Sequence, residues 1–462
     1  MDTEFSLAKF VTSTGYEQLS PRVVNATKID IMDTIGAALA GSVAPGCRQV
    51  VELVSEWGGK PEATILVFGT RLPSPLAALA NGTMAHALDF DDTHDKAVLH
   101  TGVTVVPAAL AMAERIGGIS GKQFIAAVTM GIEIISRLGL ATKMPPSKGW
   151  HLTAVYGYFG AATAAGKLVG LGVEEMLNAW GIAYAQAAGN LECVRSGALT
   201  KRLQAGQAAQ GGLLSALLAQ RGITGARDCF EGEAGIFSLY QRGEYEPALL
   251  TSGLGQRFEV TNLSFKPYPC CRWTHSPIDA ALKLVVEHRL EPNHIKEVMV
   301  GVSKNGFPLA EPVGVKRHPR NAVDAQFSIH YTVAVALVKK AVTIEDFSSS
   351  AVQDPSILQL TPRVTVEIDN QIDMMSSDRE IAGARVSVTT WTGEVYSAVV
   401  ERAKGDQSNP MSTEEFVRKF KYCSKHVAKP LSNSRIELAI EALTHLEEKS
   451  DVAEIAEILS VS

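Results

Sequence analysis

The sequence predicts a mainly α protein with a large helical domain and a smaller α+β domain, and three observations predict it. Apolar residues recur at helical spacing through about the first 260 positions, period-two alternation appears only after about Thr261, and helical spacing returns near the end. On that pattern residues 1–262 form a helical domain, 263–403 a compact α+β unit, and 404–462 closing helices that rejoin the first domain.

The first helix signal is Ser20 as a cap with Pro21 at the first helical position, followed by Val24, Ile31, Ile35 and Leu39 on one stripe until Gly41. Ser74 and Pro75 repeat that start, and Leu76, Leu79 and Met84 lead towards His86. Small-residue stretches at 161–166, 183–189 and 205–212 allow helices to approach closely. In the α+β unit, Val298, Val300 and Val302 alternate with other residues, as do Val364, Val366 and Ile368. Val386 and Val388 precede the turn Thr392-Gly393, with Val395 and Val399 beyond it, so a hairpin is expected. Helical sequence lies between these strands at Pro277 to Glu287 and Ala325 to Lys340. At the end, Ser412 and Glu415 make a capping-box pattern before Phe416, Phe420 and Cys423, and Ile436, Ile440 and Leu443 mark one more helix.

Composition narrows the function classes. With 46% hydrophobic and 20% charged residues over 462 positions, a large core is readily buried. A net charge of −6 and a pI near 6.0 provide no general field for nucleic acid or anionic membrane, so neither is an expected partner. Met1 to Lys9 lacks the basic start and apolar core of a secretory signal, and a cytoplasmic protein is expected. Six scattered cysteines read as reduced thiols. The uncharged runs 152–166 and 203–220 are rich in Gly, Ala, Gln and Thr and read as buried helices rather than membrane spans.

The pattern of motifs points away from nucleotides and metals. No GxGxxG follows a strand, and the 117–122 segment has the wrong glycine spacing for a phosphate loop, with Gln123 where Ser or Thr is needed. No HExxH or paired CxxC occurs, so neither a metal nor another cofactor is expected. The densest polar group is His86-Ala-Leu-Asp89-Phe-Asp91-Asp92-Thr93-His94, followed by His100. If the preceding helix continues, His86, Asp89 and Thr93 share a face and a carboxylate can orient an imidazole or hydroxyl; a capping and turn cluster fits the same residues. His151 follows Gly149-Trp150 before an uncharged helix, where a structural histidine is the alternative. Lys201 and Arg202 stand before a small-residue helix, a place suited to an anion or to a solvated basic turn. Lys266, Cys270, Cys271, Arg272 and His275 lie in a proline-shaped segment whose cations could hold carboxylates or simply be solvated in a linker. Tyr331 opens an apolar helix, either for function or as a packed ring with a satisfied hydroxyl.

Together, Asn81-Gly82-Thr83 through Thr93, the 201–206 turn, 266–275 and 327–331 resemble, in order and nearly end to end, the 2-methylcitrate dehydratase (MmgE/PrpD) family. That family also includes cis-aconitate decarboxylase and iminodisuccinate epimerase. The resemblance implies a large helical domain with the smaller α+β domain as a lid, a homodimer, and an active site between the domains. Matching positions give His100, His151, Asp89, Lys266 and Tyr331 as catalytic residues. Thr93, Lys201, Arg272, Cys271 and His275 become substrate-binding candidates. Cys271 falls where the decarboxylase branch has His, Thr101 where many relatives have Pro, and Gln204 where many have His.

The expected reaction is metal-independent dehydration of a small β-hydroxy polycarboxylate. Histidines would move protons, while fixed cations would stabilise the charge that develops beside the carboxylate. An epimerase of an amino- or imino-dicarboxylate, a decarboxylase of a cis-aconitate-like acid and an inactive carboxylate binder are the alternatives.

Overall fold

The computed structural model describes residues 3–143, 148–375 and 383–461. Met1 and Asp2, where the N-terminal reading begins, lie outside them. Two compact units make up the chain. The first comprises Met1–Glu192, Leu199–Leu263 and Ser412–Ser462, and the second Cys193–Ala198 and Ser264–Met411. The architecture is mainly α with a smaller α+β portion, as the periodicities require.

In the first unit, Pro21–Gly41 starts as its sequence dictates, with the Ser20 hydroxyl accepting from Val23 N at 3.4 Å. The helix Ser74–Ala85 departs from the expected start. Pro73 precedes it, and Ser74 donates both its N–H and its hydroxyl to Glu62 Oε2, each at 3.2 Å, instead of capping. Thr200–Gln220 packs against Leu152–Leu168, Ser74–Ala85 and Gly102–Ile116. Backbone meets backbone there because the residues are small. A Cβ on Gly206 would strike the Leu79 carbonyl and the Thr83 hydroxyl, and one on Gly82 would lie 3.0 Å from the Gly206 Cα. This close crossing brings the first turn of Thr200–Gln220 beside the end of Ser74–Ala85, where the polar cluster begins.

Gly121–Ala141 is long and apolar enough to cross a membrane, but 94% of its most apolar window is buried inside the protein. It also carries a buried ion pair, Glu133 to Arg137 Nε at 2.7 Å, and Arg137 Nη1 donates to the carbonyls of Leu250 and Ser252 at 3.1 and 3.0 Å. Glu133 and Arg137 also keep this helix out of the long uncharged runs of the sequence. Thr413–Cys423 begins with the expected capping box, in which Ser412 N donates to Glu415 Oε2 at 2.7 Å and Glu415 N to Ser412 Oγ at 3.3 Å. It packs on Pro21–Gly41. A short hairpin, β1 (Ala63–Thr64) and β2 (Arg71–Leu72), completes the named strands of this unit.

The second unit is built on β3 (Ile295–Val302), β4 (Val364–Ile368), β5 (Ala384–Thr390) and β6 (Val395–Val400), in the order β4-β3-β5-β6. β5 and β6 form the expected hairpin, with Val386 opposite Ala398. β3 pairs in parallel with β4, Val298 opposite Val364, which requires a long crossover, and the helix Ile329–Lys339 lies within it. Val298, Val300, Val364, Val386 and Val388 join Leu284 and Leu337 in one apolar core. The single helix expected over 325–340 is two, Ala322–Gln326 and Ile329–Lys339. The Asn321 and Ser328 side chains each accept from a backbone N–H three residues on, both at 3.0 Å, and so start a helix apiece. All six cysteines are free and buried.

Candidate active site

The cluster begins where the helix Ser74–Ala85 ends. His86 is its C-cap, so His86, Asp89 and Thr93 do not share a helical face. Instead the chain turns through Asp89 at φ 52°, a left-handed conformation that Asp tolerates better than most residues. The turn sends Asp89 and His86 to one cation. Lys201 Nζ donates to Asp89 Oδ1 at 2.9 Å and to His86 Nε2 at 2.8 Å. Burial and the Lys201 charge hold the His86 imidazole far below its ordinary range, at about 3.

Asp91 and Asp92 organise the rest of the loop. Asp91 Oδ2 lies 2.9 Å from both His86 Nδ1 and His100 Nδ1. Asp92 accepts from Thr101 N, Thr101 Oγ1 and Gly102 N at 2.9, 2.8 and 3.0 Å, anchoring the start of Gly102–Ile116. His100 Nδ1 also reaches the Asp92 carbonyl at 2.7 Å, and its backbone N–H donates to Thr153 Oγ1 at 3.0 Å. The two side-chain contacts both engage Nδ1, and the side chain is 15% exposed. His94 Nε2 pairs with Glu259 at 3.2 Å, bracing the loop from its other side.

His151 stands at the N-terminus of Leu152–Leu168, its ring 5.7 Å from that of His86, which in turn lies 4.7 Å from the His100 ring. Its Nδ1 is 3.1 Å from Gln204 Oε1, whereas its buried Nε2 has no hydrogen-bond partner. Burial first, then Lys201, His86 and His100, press its pKa well below the ordinary value, so the ring is neutral. A neutral imidazole with a bare nitrogen is a proton acceptor.

Beneath the loop lie two acids and a lysine that the sequence reading did not select. Both carboxylate oxygens of Asp30 are buried without hydrogen-bond partners, and burial with Asp92, Asp33 and Asp91 nearby drives its pKa well up. Lys419 joins Asp33 at 2.6 Å and donates to the Phe90 carbonyl at 2.7 Å. His86 and Asp91 were visible inside the motif, but their pairing was not. Asp30, Asp33 and Lys419 lie on remote helices and carried no local signal.

The donor atoms of His86, Asp89, Asp91 and His100 lie within 4.8 Å of one another, close enough for metal ligands. Two of those residues, His86 and Asp89, bond the Lys201 ammonium, so the chain itself supplies a cation there. Thr93 is buried in the same loop and donates to Asp95 Oδ1 at 2.6 Å.

The remaining candidates belong to the second unit. Lys266 is fully buried. Arg272 donates to the Lys404 carbonyl at 2.9 Å, and its Nη1 lies 3.5 Å from His275 Nδ1. His275 Nε2 lies 3.2 Å from the Cys270 carbonyl, and the Cys271 N–H bonds the Gln326 carbonyl at 3.0 Å. Tyr331 is fully buried, with its hydroxyl 2.7 Å from the Asp346 carbonyl and 3.1 Å from that of Ala351. These are the surroundings of a packed ring with a satisfied hydroxyl.

The sequence matches the MmgE/PrpD N-terminal domain over residues 6–248 and the MmgE/PrpD C-terminal domain over 268–446. It is 27% identical to the cis-aconitate decarboxylase-like protein oryM of Aspergillus oryzae, over 98% of this chain and 96% of that protein. It is also 27% identical to cis-aconitate decarboxylase of Aspergillus terreus, over 98% and 95%, and 29% identical to that of Homo sapiens, over 96% and 91%.

Proposed function

This chain belongs to the MmgE/PrpD family, and from that premise we propose that it is a lyase that dehydrates a small β-hydroxy polycarboxylate, such as a citrate derivative. The observation that carries the reading is the bare, buried Nε2 of a neutral His151 within a cluster that also holds the Lys201 cation. An acceptor of that kind suits a first step in which a C–H proton beside a carboxylate is removed.

In this reading His151 Nε2 takes the proton and the C–H electrons become the new double bond. The C–O bond breaks, and the departing hydroxide takes a proton from His100 Nε2 to leave as water. The Asp91 carboxylate and the Asp92 carbonyl both stand at His100 Nδ1, so Nε2 is the nitrogen that delivers the proton in this reading. Lys201 opposes the charge that builds on the carboxylate, while Asp89 holds the Lys201 head in place. The resemblance makes Lys266 a catalytic residue, and Arg272, as a bidentate fork, would hold a carboxylate.

Decarboxylation of a cis-aconitate-like acid is the second reading, and it is favoured by what the relatives are called. The two separate when the protein is incubated in deuterated water with 2-methylcitrate, citrate, cis-aconitate and amino-dicarboxylates. Alkene absorbance, released carbon dioxide and deuterium incorporation are then followed together. New alkene without carbon dioxide supports dehydration. Carbon dioxide from cis-aconitate replaces it with decarboxylation, and exchange without new alkene points to an epimerase. Turnover should survive a chelator and disappear in His151→Ala. Loss on chelation would overturn the metal-independent account.

A further inference from the structure

The helix Thr200–Gln220 presents Lys201 and Gln204 three residues apart on one face. Lys201 reaches His86 and Asp89, whereas Gln204 reaches a different partner. Residues 149–151 and 189–191 run side by side, with His151 N donating to the Gly189 carbonyl at 3.2 Å and Leu191 N to that of Gly149 at 2.8 Å. Gly189 has φ +157°, and a Cβ there would crowd Ala154 and lie 3.1 Å from Gln204 Oε1. The Gln204 amide closes over this pair. Asn190 N donates to Gln204 Oε1 at 3.0 Å, and Gln204 Nε2 donates to the Asn190 carbonyl at 3.1 Å.

Those two bonds decide which way the amide faces. A backbone N–H can only donate and a backbone carbonyl can only accept, so flipping the amide would set donor against donor and acceptor against acceptor. The oxygen that meets Asn190 N is therefore the same oxygen that stands 3.1 Å from His151 Nδ1. An amide oxygen only accepts, so the imidazole must carry its proton on Nδ1. Nε2, the buried nitrogen without a partner, is left with its lone pair.

We propose that Gln204 is a positioning residue, held by the Asn190 backbone, that fixes His151 in the Nδ1–H tautomer and so makes Nε2 the proton-accepting atom. The inference rests on the reading of His151 as a proton carrier for its relevance to turnover, but the tautomer itself is a separate observable. The groups that face the ring are Lys201, His86 and His100. Burial above all, and then the charge of Lys201 and the neighbouring imidazoles, keeps the ring neutral, while Gln204 selects which neutral form it takes.

The test is long-range proton–nitrogen correlation spectroscopy on full-length protein labelled with 15N-histidine, with the His151 signals identified by their loss in His151→Asn. The wild type should show a protonated Nδ1 and an unprotonated Nε2 throughout pH 6 to 8. Gln204→Leu should move the ring towards the Nε2–H form and lower kcat by about 10²- to 10⁴-fold, the scale seen when a catalytic imidazole is held in the wrong tautomer. Gln204→Glu keeps an acceptor at Nδ1. It should restore the Nδ1–H form and part of kcat, with the ring titrating at higher pH because a carboxylate now faces it. A wild-type ring protonated on Nε2 overturns the proposal, as does a Gln204→Leu ring that stays in the Nδ1–H form. Should the leucine variant misfold, the wild-type spectrum decides alone. Turnover surviving in His151→Asn would remove the proton-carrier reading while leaving the tautomer result standing.

Discussion

The Lys201 ammonium donates to Nε2 of His86 at 2.8 Å, which means that His86 is a neutral ring with its proton on Nδ1, facing Asp91. One cation thus sets the protonation of one histidine directly, and it lowers the pKa of a second, His151, through space. Lys201→Met should therefore let both rings titrate at higher pH, and kcat/KM should fall by about 10²-fold or more, since the group opposing the developing carboxylate charge is gone. Histidine titration by NMR together with steady-state kinetics checks this. Rings that titrate unchanged would contradict the assignment.

Stability should carry the mark of His86 as pH falls. Its folded pKa of about 3 lies below the value of about 6.5 expected in the unfolded chain, so between these limits the unfolded state binds more protons. The contribution is complete above pH 6.5 and is lost as pH drops towards 3. Asp33 works in the opposite direction. Its carboxyl is raised to about 6, chiefly by burial, so its contribution is present at low pH and is lost as pH rises through 6. Comparing wild type with His86→Asn isolates the histidine. Between pH 7 and 4.5 the variant should lose less stability than the wild type, by on the order of 2 kcal/mol. Urea unfolding at the two pH values measures the difference, and parallel losses would refute it.

The loop that carries His100 contains a strained residue. Val98 adopts φ 56°, where a β-branched side chain costs roughly 1–2 kcal/mol. Asn tolerates that conformation, so Val98→Asn should raise stability by about 1 kcal/mol. A lower urea midpoint in the variant would mean that packing of the valine methyls outweighs the strain.

How much of this was legible in the sequence follows from the range of each interaction. The Ser20 and Ser412 caps, the β5–β6 hairpin and the alternation in β3 and β4 are set by neighbours within a few residues, and periodicity exposes them. The split at Ser328 was missed because a buried helix start inside an apolar run looks like continuous helix. Ser74 was misread because Glu62, its actual partner, lies twelve residues away. At the site, the motif from His86 to His100 and the Lys201 turn were visible. Asp30, Asp33 and Lys419 were not, since only tertiary packing brings Lys419 to Asp33 across nearly four hundred positions. The resemblance drew attention to Gln204 as a departure from relatives. Its bonds to Asn190 and His151 exist only in three dimensions.

The crossing of Thr200–Gln220 over Ser74–Ala85 gives a last prediction that joins fold and chemistry. In an isolated helix Gly206→Ala would be favourable by about 1 kcal/mol, because alanine is the better helix former. Here the added methyl would meet the Leu79 carbonyl and the Thr83 hydroxyl, and backbone cannot move aside as the end of a flexible side chain can. Overpacking of that kind costs roughly 1–3 kcal/mol, so the variant should be net destabilised. Any relief by sliding the helix displaces Lys201 from Asp89 and His86, and a misplacement of about 1 Å can cost about 10²-fold in rate. Gly314 provides the control. It lies in the short helix Val313–Arg317, where an added Cβ meets nothing within 4 Å, so Gly314→Ala should be neutral or slightly stabilising. Thermal unfolding and kcat measured on both variants test the idea, which fails if Gly206→Ala matches Gly314→Ala in both.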